Sequence, residues 1–154
     1  MKIAIASDHA GFSLKETLRE FLESENYGII DVGTYGEMPV DYPDFAEKIG
    51  AVILKNEAQR GVLICGSGVG ASVAANKING IRAGLCHDTY SAHQSVEHDA
   101  MNVLVLGARV VGTELAKELV TAFLRAEFTG EERHLHRLEK VNALEKSNRQ
   151  KHPR

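Results

Sequence analysis

A cysteine followed by three closely spaced glycines is the part of this sequence best suited to chemistry. Cys65 ends a short apolar run and is followed by Gly66, Ser67, Gly68, Val69 and Gly70. Glycines at alternate positions let the backbone turn sharply and present consecutive N–H groups to an anion at the start of a helix. The spacing matches neither a P-loop nor the dinucleotide fingerprint Gly-x-Gly-x-x-Gly. The loop predicts a cradle for a phosphate or an oxyanion, and a tight turn without a ligand is the alternative.

Cys65 itself has two interpretations. A lone cysteine at the end of an apolar strand is usually a small core residue. Beside several backbone N–H groups and a helix N-terminus, its thiolate would be stabilised, which favours a reactive role. Cys86 has no glycine loop after it and is predicted to be core packing.

Acid-base side chains stand close to other predicted strands and helices. Asp8 and His9 open the first predicted helix, and Asp8 is either its N-cap or a functional group. His98 and Asp99 stand at the end of the fourth predicted helix. There, His98 is either a solvated histidine or a general acid-base that works near neutral pH.

Three arginines are candidates for a phosphate clamp. Arg109 follows the last predicted strand, and Arg133 and Arg137 are four residues apart, so they share one helix face. Such pairs are usually solvated surface. Arginine matches phosphate geometry, however, and a net-negative chain needs local cations to bind a phosphate.

The histidines and acids of residues 87–99 also suggest a metal site. Asp88 is explained more simply as a helix N-cap, and His93 and His98 are five residues apart, a poor spacing for one helix face. We therefore expect no metal.

Apolar runs alternating with amphipathic stretches predict a doubly wound α/β sandwich with parallel strands buried on both faces. The expected strands are residues 2–6, 28–33, 61–65, 82–86 and 102–106. The expected helices are residues 11–25, 43–57, a third through 71–77, 89–98 and 112–127. In the first helix, Lys15 is assigned to the outward-facing side. Ligands of open parallel sheets bind beyond the carboxyl ends of the strands, where the candidate loops lie.

The C-terminal segment is predicted to be a helix that packs on a second copy of the chain. Residues 1–130 would form the core, 131–149 a charged helix with a sparse apolar set, and 150–154 a frayed tail. The apolar set is Leu135, Leu138, Val141 and Leu144. Four such residues cover little surface alone, so we predict a homodimer with this helix crossing between subunits.

Composition narrows the class of protein. The chain has 154 residues, 44% of them hydrophobic, which fits one domain with one good core. A formal charge of −3 gives no global attraction for nucleic acid or an anionic membrane. Two cysteines in buried strands, and an N-terminus that turns polar too early for a signal peptide, favour a reducing, cytoplasmic setting.

Several separated motifs together resemble the ribose-5-phosphate isomerase B family, with some likeness to galactose-6-phosphate isomerase subunits. They are Ser7-Asp8-His9-Ala10-Gly11, Asp41-Tyr42-Pro43-Asp44, Cys65-Gly66-Ser67-Gly68-Val69-Gly70, Ala74-Ala75-Asn76-Lys77, Glu97-His98, Asn102-Val103-Leu104, Gly107-Ala108-Arg109-Val110-Val111-Gly112, and Arg133-His134 with Arg137. The resemblance covers the chain to about residue 145. It implies a Rossmann-like homodimer, or a tetramer, that interconverts an aldose phosphate and its ketose without a metal, nucleotide or other cofactor.

The same resemblance implies a role for each candidate residue. Cys65 would move a proton between C1 and C2, and residues 66–70 would hold the enediolate oxygens. Ser67, where the family usually has threonine, would pass a proton between O1 and O2. His98, with Asp8 nearby, would assist opening of the furanose ring. The phosphate would be held by His9, Arg109, Arg133 and Arg137, the last two supplied by the partner subunit.

Asp99 departs from the family pattern, which commonly has asparagine there. An amide both donates and accepts at a sugar hydroxyl, whereas an ionised carboxylate only accepts. The sugar therefore stays open among ribose 5-phosphate, allose 6-phosphate, galactose 6-phosphate, a tetrose phosphate and a free sugar. A noncatalytic sugar-phosphate-binding protein is the alternative from another class, although binding alone needs no thiol at Cys65.

Overall fold

The computed structural model describes the backbone of residues 1–151 and the side chains of residues 1–147. Within that range a parallel sheet has the strand order β2-β1-β3-β5-β4. Its strands are β1 (Lys2–Ser7), β2 (Gly28–Asp31), β3 (Arg60–Cys65), β4 (Ala83–Leu85) and β5 (Val103–Gly107). The five predicted parallel strands are confirmed, each to within a few residues.

Helices cover both faces of the sheet. They are α1 (Phe12–Ser24), α2 (Tyr42–Leu54), α3 (Val69–Ala75), α4 (Thr89–Asp99), α5 (Thr113–Arg125) and α6 (Glu132–Lys151). Helices α1, α4 and α5 share one apolar core with one face of the sheet, while α2 and α3 share a second core with the other. The predicted doubly wound α/β sandwich is confirmed.

The strand sequences explain why two cores form. Along β1, Ile3 and Ile5 belong to the first core, whereas Ala4 and Ala6 belong to the second. Successive side chains of a strand point to opposite faces, so a continuous apolar run suits a sheet that is covered on both sides. Cys65 follows this alternation and lies in the core beneath α2 and α3.

Lys15 contradicts the prediction that it faces outward. Its side chain is 0% exposed, and its Nζ donates to Asp31 Oδ2 at 2.5 Å and to Glu16 Oε1 at 2.8 Å. The rings of Phe12 and Tyr35 also lie against the ammonium group, each with its centroid 5.6 Å from Nζ. Asp31 ends β2 beneath α1, so a cation on the inner side of α1 is needed to neutralise that carboxylate.

Helix α6 leaves most of its described side chains exposed, although the Gly80 N–H of the core donates to the Glu145 carboxylate at 3.2 Å. Among its described side chains, residues 132–147, only His134 is buried, and Leu135, Val141 and Leu144 are each more than 40% exposed. A groove of about 1410 Å³ runs between α6 and the core, lined in part by Ala83, Met101, Leu138, Val141 and Leu144. Three of the four apolar residues of the predicted dimerisation helix are thus exposed within one chain, and the fourth, Leu138, is half-buried. Residues 152–154 of the predicted frayed tail lie outside the described residues.

No helix in the described part of the chain is long and apolar enough to span a membrane.

Candidate active site

The glycine loop joins the end of β3 to the start of α3. Gly68 occupies the N-cap position of α3 with φ +82°, a conformation that glycine adopts without steric cost. Its N–H donates to Cys65 Sγ at 3.1 Å, and the Val69 N–H donates to Ser67 Oγ at 3.2 Å. Cys65 is 4% exposed and forms no disulfide, whereas Ser67 and Val69 are exposed. The loop therefore places a buried thiol behind a rim of backbone N–H groups and one hydroxyl.

The loop after β5 is bonded to the loop after β3. Cys65 pairs with Gly107 in the sheet, the Ala108 N–H donates to Cys65 O at 2.8 Å, and the Arg109 N–H donates to Gly66 O at 3.0 Å. The Arg109 guanidinium lies over Gly66, with Nη1 3.5 Å from the position that a Cβ atom would occupy. Among the described side chains it forms no ion pair. An exposed cation thus stands next to the glycine loop.

Asp8 and His9 lie at the same edge, where β1 ends. Asp8 is 7% exposed, and its Oδ1 accepts the Gly11 N–H at 3.0 Å. The N-cap of α1 is Gly11, without a side-chain cap, so Asp8 is not the N-cap. It closes the turn that precedes the helix instead.

The His9 ring is held by the loop that leads into α2. Its Nδ1 is 3.1 Å from the Val40 nitrogen and 3.2 Å from the Val40 oxygen, so this atom has a backbone partner in either tautomer. Nε2 is then the ring nitrogen left to bind a ligand. Asp8, His9, the glycine loop and Arg109 make up what we call the thiol edge.

His98 and Asp99 lie at the opposite edge of the sheet. Asp99 is the last residue of α4. The carbonyl of the next residue, Ala100, accepts a hydrogen bond from Nε of Arg82, which lies just before β4. β5 begins beside Gly61 and reaches Cys65 only four residues later, about 13 Å along the strand at 3.3 Å per residue. Within one chain His98 is therefore not close to Asp8. A helix that returns between parallel strands ends where the next strand starts.

Arg133 and Arg137 accompany His98 rather than Cys65. The His98 ring stacks on His134 of α6 with centroids 3.9 Å apart. Arg133 donates from Nε to Glu131 Oε2 at 3.0 Å and is 62% exposed, and Arg137 is also exposed. His98, Asp99, Arg133 and Arg137 make up what we call the α4–α6 group. The structure thus separates the predicted site residues into two groups.

Comparison with known proteins identifies the family. Residues 3–141 match the ribose/galactose isomerase family. The chain belongs to this family. It is 45% identical to ribose-5-phosphate isomerase B of Escherichia coli over 144 residues, 94% of this chain and 96% of that protein. It is 45% identical to D-erythrulose-4-phosphate isomerase of Pectobacterium atrosepticum over 132 residues, 84% of this chain and 86% of that protein.

A solved structure of Clostridium thermocellum ribose-5-phosphate isomerase B superposes with a TM-score of 0.94. It is 47% identical, with 96% of this chain and 99% of that chain covered. These comparisons confirm the resemblance in the sequence and the expectation of an enzyme. They support a sugar-phosphate isomerase.

Sequence reasoning missed two side chains that shape the thiol edge of this isomerase. The Tyr42 ring lies against Gly70, where an added Cβ would be 2.7 Å from the ring's Cζ, so a larger residue at 70 would displace it. His87 Nε2 accepts the Gly107 N–H at 3.0 Å and supports the end of β5. Tyr42 belongs to a quoted motif, and His87 follows a strand end, so both carried a signal.

The residues behind the metal interpretation have other partners. Asp88 caps α4 by accepting the Ser91 N–H at 2.7 Å, and this bond lowers the pKa of the Asp88 carboxyl. His93 lies 3.2 Å from Glu97 across one helical turn. No three His, Cys, Asp or Glu side chains among the described residues are grouped to hold a metal ion.

Cys86 is core packing, as predicted. It is 6% exposed within the first core, and burial raises the pKa of its thiol. A raised pKa keeps the sulfur protonated and unreactive near neutral pH.

Proposed function

We propose that this isomerase interconverts ribose 5-phosphate and ribulose 5-phosphate through an enediolate, with Cys65 as the base. The observation that carries the proposal is the Gly68 N–H donating to Cys65 Sγ at 3.1 Å at the start of α3. An N–H donor and a helix N-terminus both stabilise negative charge on sulfur. The relatives named ribose-5-phosphate isomerase B support the choice of sugar.

The isomerisation moves one proton on carbon and one on oxygen. The Cys65 thiolate takes the proton from C2 of the open-chain aldose, and the C2–H electron pair forms the enediolate. The Ser67 hydroxyl passes a proton from O2 to O1, and Cys65 returns the carbon proton to C1, which gives the ketose. N–H groups of residues 66–70 bind the oxygens as charge develops, and a donor of this kind contributes about 3 to 4 kcal/mol to the transition state.

The furanose ring must open before this step. We assign that opening to His98 of the partner subunit and Asp8. The Asp8 carboxylate accepts the O1 proton, the C1–O4 bond breaks, and O4 takes a proton from His98 of the partner subunit. Ring opening is thereby complete, with one proton lost from O1 and one gained at O4.

We propose that the working site is shared between two copies of the chain. His9 and Arg109 would hold the phosphate at the thiol edge, joined by Arg133 and Arg137 of the partner subunit. Three observations favour this arrangement: the two groups lie at opposite edges of one chain, α6 exposes Leu135, Val141 and Leu144, and a large groove lies beside it. A homodimer, alone or paired into a tetramer, with a core of residues 1–130 and α6 as the dimerisation helix satisfies all three.

A different sugar phosphate is the second candidate, because of Asp99. This carboxylate is exposed at the C-terminal end of α4, where the helix dipole disfavours a negative charge. A carboxylate in this unfavourable position suits a contact with substrate hydroxyls. It can accept hydrogen bonds from them but cannot donate any. The D-erythrulose-4-phosphate isomerase relative makes a tetrose phosphate the first alternative to test, ahead of hexose phosphates and free sugars.

Two further proposals complete the assignment. Catalysis by cysteine and backbone amides uses no cofactor, and the free, buried thiols of Cys65 and Cys86 suit a reducing cytoplasm. The substrate is the small-molecule partner, with no role for nucleic acid or membrane.

Steady-state kinetics of Cys65→Ala test the assignment of the base. We expect kcat on ribose 5-phosphate to fall by about a thousandfold, within the range for loss of a general base. Cys86→Ala is the matched control, because it removes a buried cysteine that lies in the apolar core. Equal activity of the two variants would show that Cys65 is not the base. A panel of kcat/KM values over C4 to C6 aldose phosphates and free sugars then decides the substrate.

A further inference from the structure

The contact that holds α6 against α4 is a stack of two histidines. His134 is 2% exposed, and its ring lies on the His98 ring with centroids 3.9 Å apart and planes 23° apart. It is the one buried side chain among residues 132–147 of α6. Leu135, Val141 and Leu144 of this helix are each more than 40% exposed, so the buried position that a leucine would normally fill is taken by the imidazole.

The His134 ring is buried with one of its nitrogens unpaired. Its Nε2 has no hydrogen-bond partner among the described residues, and the nearest carboxylate oxygen, Glu131 Oε2, is 3.9 Å away. Leaving a buried nitrogen unpaired is unfavourable, and an apolar ring would fill the same space without that cost. The position is therefore one where shape and lack of charge matter more than hydrogen bonding.

The charges that face His134 keep it neutral. His98 contacts it from α4, Arg133 and Arg137 face it from α6 itself, and Glu131 faces it from the residue just before α6. Burial, followed by His98 and Arg133, lowers the pKa of His134, and only Glu131 opposes them. Two positive rings stacked at this distance would repel each other, which also favours the neutral form of His134.

His98 is fixed on two sides. Gln94 Nε2 lies 2.7 Å from His98 Nδ1, and His134 covers one face of the ring. Nε2 is the atom left to act on a substrate. Arg133 and Arg137 flank His134 on α6, so the same stack sets their position relative to His98.

We propose that His134 is a positioning residue, whose stacked ring fixes the plane of His98 and ties α6, with its arginines, to α4. This inference rests on the proposed function, in which His98 of one subunit opens the sugar ring at the thiol edge of the other. It assigns His134 to ring opening and not to the enediolate step.

The two steps can be measured apart because of the chemistry of the substrates. Ribose 5-phosphate is a furanose closed through O4 and must open before it reacts. Ribulose 5-phosphate carries its phosphate on O5, the oxygen that would close a furanose ring, so it is already an open chain. Exchange of its C1 proton with D2O, followed by NMR, reports the enediolate step alone.

Three variants test the proposal: His134→Ala, His134→Phe, and His136→Ala as the matched control from the exposed side of the same helix. In His134→Ala we expect kcat for ribose 5-phosphate to fall by about tenfold to a hundredfold, the size of effect that a displaced catalytic group produces. C1 exchange should change by less than about threefold. His134→Phe keeps the stack and should recover most of the lost kcat, and His136→Ala should match the parent.

An equal loss in isomerisation and C1 exchange for His134→Ala would overturn the proposal, and so would a Phe variant as slow as the Ala variant. A measurement made without substrate separates failure of the positioning role from failure of the proposed function. The NMR signal of His98 Cε1–H, assigned by its absence in His98→Ala, should shift in His134→Ala and stay in place in His136→Ala. An unmoved signal refutes the positioning role whatever sugar the enzyme uses.

Discussion

Replacing Lys15 by methionine tests whether the buried ion pair beneath α1 holds the structure together. The substitution keeps the apolar stem and removes the ammonium group that bonds Asp31 and Glu16. Removing one partner of a buried pair costs about 3 to 5 kcal/mol, because the other charge is left uncompensated. Asp31 is 19% exposed, so water relieves part of this, and we expect a loss of about 3 kcal/mol in the free energy of unfolding.

Lys117→Met is the matched control. Lys117 also bonds a carboxylate and lies near an aromatic ring, but its partner Glu114 is 84% exposed. Pairs of that kind contribute about 0.5 kcal/mol or less. Urea unfolding at one fixed protein concentration measures both variants, because oligomerisation makes apparent stability depend on concentration.

A second substitution identifies the cause. Asp31→Asn in the Lys15→Met background removes the stranded charge, while its Oδ1 can still accept the Gly33 N–H, a bond of 2.9 Å in this structure. The double variant should therefore recover about 1 kcal/mol or more relative to Lys15→Met. Losses of equal size in Lys15→Met and Lys117→Met, or no recovery in the double variant, would show that the unpaired charge of Asp31 is not the cause of the instability.

Three further predictions concern the site and its attachment. Gly68→Ala places a Cβ 2.5 Å from Leu85 Cδ1 at a φ of +82°, so kcat should fall and the free energy of unfolding should drop by about 2 kcal/mol. Steady-state kinetics and urea unfolding of the variant measure the two effects. Unchanged values of both would contradict the geometry of the glycine loop. Arg133→Ala and Cys65→Ala subunits, mixed in equal amounts, should regain about a quarter of parent activity, because about half of the dimers are mixed and each mixed dimer has one intact site. No gain in activity despite demonstrated subunit exchange would count against a shared site. The pKa of His134 is lowered below its ordinary value of 6.5, mainly by burial, so the unfolded chain binds more protons and the free energy of unfolding should fall as pH drops below about 6.5. His134→Phe should lose this part of the pH dependence. Identical pH profiles of parent and variant would contradict the role of His134 in it.

The fold was largely predictable because the apolar runs are unambiguous. Each strand is a short Val, Ile, Leu and Ala run that the sheet buries on both faces, and the amphipathic stretches between them are long enough for crossover helices. Lys15 escaped prediction because a charged residue on a helix is normally solvated. The burial of Lys15 depends on its bond to Asp31, which lies sixteen residues later in the sequence. The periodicity of the helix alone gives no indication of that contact.

The residue types of the site were predictable, but their grouping was not. Strand-end loops pointed to Asp8, His9, Cys65 and Arg109, which the sheet brings to one edge. The resemblance pairs His98 with Asp8, and the return direction of α4 places His98 at the other edge of the same chain, so this pairing needs the partner subunit. His134 belongs to a quoted motif, but nothing in the sequence of a charged helix indicates that this histidine is the buried one.

Proton exchange at carbon is the most direct test of whether Cys65 is the base. The parent enzyme, incubated with ribulose 5-phosphate in D2O, should introduce deuterium at C1, since Cys65 takes and returns that proton through the enediolate. Cys65→Ser, which keeps the size of the side chain and removes the acidic thiol, should show almost no incorporation. Deuterium at C1 at the parent rate in Cys65→Ser would contradict the assignment of Cys65 as the base.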